Sequence, residues 1–139
     1  MAVPKSIFLI GYYGQNNLGD ELLCSQSQRI LKDKLGEVRF QILGHDVGRT
    51  EVIQAIWRAD KVVFGGGSLF QDVTSKRSLL FYLSLVLLAR FFRKEILFLG
   101  QGLGPLSQTG RWLFKQCIPL KGWFLRDDDS AQLLRSICP

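Results

Sequence analysis

The residues of this sequence that could do chemistry stand where short apolar runs end, as glycine clusters with acids or an arginine beside them. Val62-Val63-Phe64 runs into Gly65-Gly66-Gly67 and then into Ser68-Leu69-Phe70-Gln71-Asp72, which reads as a strand closing in a short polar turn. With no Cβ, three glycines let the backbone take positive φ and let a ligand reach main-chain N–H groups, which suits a strand-to-helix turn that receives a phosphate or a sugar. A tight turn that binds nothing is the plainer alternative for one such stretch. The pattern recurs, in Gly14-Gln15-Asn16-Asn17-Leu18-Gly19-Asp20-Glu21 and in Gly100-Gln101-Gly102-Leu103-Gly104-Pro105, while a fourth run ends in Arg126-Asp127-Asp128-Asp129-Ser130.

The first of these has the G-x-x-x-x-G spacing of a P-loop, but Asp20-Glu21 stand where Lys and Ser or Thr would be needed, and two carboxylates repel a nucleotide's phosphates. The dinucleotide fingerprint G-x-G-x-x-G is also missing there. Asp20 has two readings, an acid stabilised by a helix N-terminus or a general base and sugar-hydroxyl partner. Arg126 at a strand-to-helix junction pairs with Asp127 or holds an anion in its bidentate fork. Asp127 to Asp129 read as an N-cap and first-turn acids, His45 as a loop residue, and Tyr12 and Tyr13 as rim packing or a stacking surface. The cysteines, Cys24, Cys117 and Cys138, lie far apart without metal-ligand spacing, so neither zinc nor a disulfide framework is expected.

These residues need a scaffold, and the chain alternates strand-like and helix-like segments. Strands are expected at 7–10, 38–43, 59–64, 96–99 and 123–125, with helices from Leu22 to about Gly36, after a Thr50 cap, over 76–93, from about Thr109, and after Ser130. Strict alternation implies a doubly wound, Rossmann-like α/β fold with a parallel sheet of about five strands, whose carboxyl ends gather the glycine-rich turns in one crevice. At 139 residues, 47% hydrophobic and 22% charged, the chain reads as one ordered domain. Its net charge of +6 attracts anions without choosing among nucleotides, phosphosugars, a membrane surface or nucleic acid. No export signal is expected from the N-terminal residues, and the cysteine usage fits a reduced, cytoplasmic setting.

Ser78 to Phe92 is apolar almost all round, yet too short to span a bilayer and interrupted by Arg90. Two readings stay open: a helix buried between the sheet and a neighbouring element, or a surface that meets lipid, flanked by Lys76, Arg77, Arg90, Arg93 and Lys94.

Taken together, Gly11-Tyr12-Tyr13-Gly14 with Gly19-Asp20-Glu21, Gly65 to Asp72 with Thr74-Ser75, Gly100 to Leu106, and Leu125-Arg126-Asp127 with Ser130-Ala131 resemble the N-terminal half of polysaccharide pyruvyl transferases, closest to the CsaB type. The resemblance implies one Rossmann-like half, residues 1–139, of a two-domain enzyme like the GT-B glycosyltransferases, with a second domain beyond this chain carrying most of the basic residues for phosphoenolpyruvate. It implies transfer of pyruvate from phosphoenolpyruvate, as a ketal, onto a sugar of a cell-wall or exopolysaccharide precursor, often lipid-linked, at the inner face of the membrane. No cofactor, metal or nucleic acid is expected, and peripheral membrane contact rests on the lipid-facing reading of Ser78 to Phe92. Asp20 becomes the candidate catalytic residue; Gly14, Asn17, Gly19, Gly65, Gly66, Gly67, Ser68, Gln71, Asp72, Gln101, Gly102, Gly104, Arg126 and Asp127 become candidate substrate-binding residues. A glycosyltransferase-like domain using a nucleotide sugar, and a non-catalytic sugar- or nucleotide-binding module, are the alternatives.

Overall fold

Strand β1 (Lys5–Ile10) buries Ile7, Phe8, Leu9 and Ile10 alike, as a strand must when helices cover both faces of its sheet. Successive side chains still part company: Phe8 and Ile10 join one hydrophobic cluster, Ile7 and Leu9 the other. Strands β3 (Lys61–Phe64) and β5 (Glu95–Leu103) repeat the alternation, with Val62, Phe64, Ile96 and Phe98 on the first side and Val63, Leu97 and Leu99 on the second. The computed structural model describes residues 5–11, 18–43, 48–65, 67–71, 76–103, 105–119, 122–125 and 128–137.

With β2 (Val38–Ile42), β4 (Gly67–Phe70) and β6 (Trp123–Leu125) the sheet has six strands, every pairing parallel. Phe98 is the register partner of both Phe64 and Trp123, and Gln101 of both Gly67 and Leu125. A strand has two edges, so β4 lies on the same edge of β5 as β3 and prolongs it. The six strands therefore fill five positions, β2, β1, β3 with β4, β5 and β6, the doubly wound order in which the winding reverses between β1 and β3.

Helix α1 (Leu18–Leu35) covers one face, setting Cys24 and Leu31 against Ile7, Leu9 and Val63. Helices α2 (Arg49–Arg58), α3 (Lys76–Phe91) and α4 (Gln108–Cys117) build the other, which α5 (Asp128–Ile137) joins through Ile137. Of the apolar residues spaced along α1, Leu31 is buried and Leu35 packs beside it, whereas Leu22 and Ile30 are exposed, and Cys24 and Ser27 complete the buried stripe. Thr50 does not cap α2. The capping position belongs to Gly48, without a side-chain bond, whereas Ser107 caps α4 by accepting from the Gly110 N–H at 3.1 Å.

The glycine stretches are straighter than a turn reading expects. Gly67 opens β4 instead of completing a turn, because Leu69 and Phe70 are apolar and β5 offers a free edge on which to bury them. Likewise β5 runs on through Leu103, with Gly100 at φ 61° providing a bulge at which two residues of β5 oppose one step of β6.

An aromatic cluster ties this side together. Phe98 stacks on Trp123 at 3.7 Å between centroids and 2° between planes, Phe64 stacks behind Phe98 at 5.1 Å, and Phe70 meets Phe98, Phe114 and Trp123 edge-on. The Trp123 indole N–H donates to the Pro119 carbonyl at 2.8 Å. Arg90, the cation inside the apolar run of α3, donates to the Cys117 carbonyl at 2.8 Å and so closes the C-terminus of α4. Gly36 ends α1 in left-handed geometry, its N–H returning to the Lys32 carbonyl at 2.9 Å.

Gly122 has the strictest demand in the fold. Its φ is 87°, its carbonyl accepts from the Phe98 N–H at 2.7 Å, and a Cβ there would lie 2.3 Å from the Ile96 carbonyl oxygen. We expect Gly122→Ala to cost about 2–5 kcal/mol, summing left-handed strain and overpacking against backbone, and urea unfolding will show it as a lower midpoint. A midpoint equal to wild type would mean that β5 and β6 do not approach as described.

Candidate functional site

In a parallel sheet of this order the crevice lies beyond the carboxyl ends of the strands that flank the reversal, here β1 and β3. The two strands end level, Ile10 opposite Phe64, and the Gly65 N–H donates to the Ile10 carbonyl at 2.8 Å. Gly11 and Gly65, the first residues past this line, are both buried. On the outer side of β3 the sheet does not stop there, because β4 continues beside β5 as far as Phe70 opposite Leu103. The carboxyl edge is therefore stepped: a floor over the end of β1, and beside it a wall of β4 and β5 that stands about 15 Å higher at roughly 3.3 Å per residue.

Register connects the motifs across this step. Gly11 follows Ile10, Ile10 opposes Phe64, Gly67 opposes Gln101, and Gln101 opposes Leu125, after which Arg126 and Asp127 begin the last junction. Four stretches spread over more than a hundred residues thus meet at one edge. Gly19 and Asp20 lie in the first turn of α1, Gly67 and Ser68 in β4, and Gln101 and Gly102 in β5, while Gln71 follows β4, half-buried. Gly14, Asn17, Gly66, Asp72, Gly104, Arg126 and Asp127 lie outside the described residues, as do Tyr12, Tyr13 and His45. Gly100, which opens the third glycine cluster but is not among the candidate binding residues, forms the bulge at which Gln101 is re-registered against β6. A glycine inside an apolar strand pattern is the signal for such a bulge.

Each helix starts at this carboxyl edge, since each follows a parallel strand, and the charges of their first turns divide by position. Asp128 and Asp129 open α5 and are exposed, Asp20 is in the first turn of α1, and α3 opens instead with exposed Lys76 and Arg77 and no acid. Carboxylates at an N-terminus are favourable there, whereas two cations oppose the helix dipole and are relieved by an anion. The opposite, amino edge is polar and closed. Lys61 and Glu95 are register partners joined at 2.6 Å, and Asp60 accepts from the Ser6 N–H at 2.8 Å.

The described cysteines do not supply a nucleophile. Burial pushes the Cys24 thiol above its ordinary range, opposed by the Gln28 hydrogen bond and assisted by Glu21. Burial also raises Cys117, with Arg90 opposing. Among the described residues no group of three or more His, Cys, Asp or Glu could hold a metal ion. Because a raised pKa leaves less thiolate, Cys24 and Cys117 should alkylate more slowly than a free thiol at pH 8 and reach its rate only in denaturant, as mass spectrometry of iodoacetamide-treated protein will show. Rapid labelling of either in the folded chain would contradict their burial.

The family model for polysaccharide pyruvyl transferase matches residues 17–139. The chain belongs to that family. No curated protein and no solved structure matches it.

Proposed function

We propose that this polysaccharide pyruvyl transferase family member seats a sugar acceptor in the crevice past β1 and β3, and takes part in moving pyruvate from phosphoenolpyruvate onto two hydroxyls of that sugar. What supports the reading is the register chain that gathers the four glycine-rich or charged junctions at the carboxyl edge. In ketal formation the methylene carbon of phosphoenolpyruvate gains a proton to become the methyl group, and C2 turns cationic and takes the first hydroxyl oxygen. The C2–O bond to phosphate then breaks, and the second hydroxyl oxygen closes the ring. The two hydroxyl protons balance the one gained by carbon and the one that leaves with phosphate. A base beside the hydroxyls and cations beside the phosphate are therefore the minimum equipment.

Asp20, in the first turn of the helix that follows β1, is the base in this proposal. In this reading Gly14, Gly19, Gly65, Gly66 and Gly67, with Asn17, Ser68, Gln71 and Asp72, bind the acceptor, and Gln101, Gly102 and Gly104 join them. Arg126, with Asp127, takes an anionic group of phosphoenolpyruvate in its fork, and Lys76 at the start of α3 adds positive charge.

The test is phosphate release and ketal formation by the active enzyme with phosphoenolpyruvate and a lipid-linked amino-sugar disaccharide. Asp20→Asn should leave phosphoenolpyruvate binding within about twofold and lower kcat by about 100-fold or more, the usual span for a lost general base. Arg126→Lys should weaken phosphoenolpyruvate binding about tenfold, because the paired geometry is lost. Wild-type rates in both variants would remove these residues from the reaction.

A further inference from the structure

The outer surface of α3 is apolar where a surface helix is ordinarily polar. Its inner face, Leu79, Tyr82, Leu83, Leu85, Val86 and Ala89, is buried in the core. On the opposite side Leu80, Leu87 and Phe91 are exposed, Phe91 by 78%, with only Ser84 between them. Residues 77, 80, 84, 87 and 91 follow helical spacing, so Arg77 stands on the same stripe one turn before Leu80. The adjacent α2 presents a parallel stripe through Arg49, Ile53 and Trp57, Trp57 being 61% exposed. Between the two helices runs a groove of about 460 Å³, walled by Val52, Ile53, Phe81, Leu85 and Leu88, with Arg49 also in its lining.

Charge frames this surface on one sign. From Lys76 to Lys94 the chain has five basic residues and no acid, placed before the apolar stripe at Lys76 and Arg77 and after it at Arg90, Arg93 and Lys94. At 1.5 Å per residue the helix is about 24 Å long, so lying flat it brings both basic ends to the same depth as the apolar stripe. Aromatic and aliphatic side chains with a cationic rim at both ends match the interface of a bilayer that carries anionic headgroups. A second copy of the chain is a poor match. Antiparallel packing of two such stripes sets Lys76 and Arg77 against Arg93 and Lys94, and parallel packing sets like residues against like, so both juxtapose positive charge. Among the described residues no helix is long and apolar enough to cross a membrane, and basic residues at both ends favour lying in the surface.

We propose that the face formed by α2 and α3 docks this protein, lying flat, on an anionic lipid surface, with Trp57, Leu80, Leu87 and Phe91 entering the headgroup boundary and Arg77, Arg93 and Lys94 meeting the headgroups. This face lies on the flank of the sheet, so docking leaves the carboxyl edge open and does not depend on what that edge binds.

The test is co-sedimentation of the full chain with vesicles of phosphatidylcholine alone and of phosphatidylcholine with about 30% phosphatidylglycerol, at low and high salt. Binding to the anionic vesicles is expected to exceed binding to neutral ones about tenfold, to fall about tenfold in 0.5 M salt, and to fall about tenfold in Trp57→Ser/Phe91→Ser. Both substituted side chains are solvent-exposed, and circular dichroism will check that the fold is kept. Brominated lipids should quench wild-type tryptophan fluorescence, and the quenching should vanish in Trp57→Phe, which keeps the proposal testable should the double variant misfold. Equal binding to both vesicle types, quenching unchanged in Trp57→Phe, or a concentration-dependent dimer that binds no vesicles would each overturn it. Transferase assays enter none of these readouts, so a failure here is distinguishable from a failure of the acceptor-site reading.

Discussion

The stack of Phe98 on Trp123 is the contact from which the carboxyl edge is built. It lies one step below Gly100 and fixes where β6 sits against β5 before the bulge re-registers them. Phe64 packs behind it and Phe70 across it, so β3 and β4 are held to the same strand by the same ring system. An aromatic pair adds about 0.5–1.5 kcal/mol beyond its burial, and here several pairs share Phe98 and Phe70. Everything placed above the stack, from Gly67 and Gln101 to the junction after Leu125, inherits its position from these rings. A side chain at Gly122 would part them from below.

The two edges of the sheet make opposite use of the same parallel geometry. At the amino edge, cross-strand neighbours carry complementary groups and satisfy one another, Lys61 with Glu95 and Ser6 with Asp60. Lys61 is nearly buried whereas Glu95 is half exposed, so the pair serves mainly to keep a charge from being stranded at the end of β3. At the carboxyl edge the corresponding places are taken by glycines, Gly11 and Gly65 past the ends of β1 and β3 and Gly67 at the start of β4.

Much of this was legible in the sequence. Apolar runs of three or four residues with no polar face, such as Ile7 to Ile10 and Val62 to Phe64, read as strands buried on both sides, and their alternation with amphipathic segments implied the parallel sheet. The glycine stretches misled because a local reading takes Gly65-Gly66-Gly67 for a turn. The partner that makes Gly67 to Phe70 a strand lies more than thirty residues away in β5, and local composition carries no trace of it. Leu31 and Leu35 marked part of the anchor of α1, but Cys24 and Ser27 did not show, because small residues mark a close approach only once the opposing strand is known. The outer stripe of α3 was hidden for another reason. A run that is apolar all round has no periodicity, so sequence could not say which side would be left uncovered. The candidate site is marked in the sequence by four recurring chain ends, but the step in the carboxyl edge is not, since that follows from β4 sharing an edge with β3.

The parallel order also sets a timetable for synthesis. β1 is made first, yet its two neighbours are residues 38–42 and 61–64, and β3 in turn waits for residues 95–98. At a ribosomal pace of about 5–20 residues per second, Phe8 and Ile10 therefore spend several seconds without the strand that will cover them. Until then the nascent chain holds only α1 and α2 as locally formed structure, and the apolar α3 emerges before β5 exists to fix the core beneath it. In this chain the step most exposed to chaperone capture falls between the emergence of residue 91 and that of residue 98, when α3 has left the ribosome but β5, which pairs with β3, β4 and β6, is not yet made.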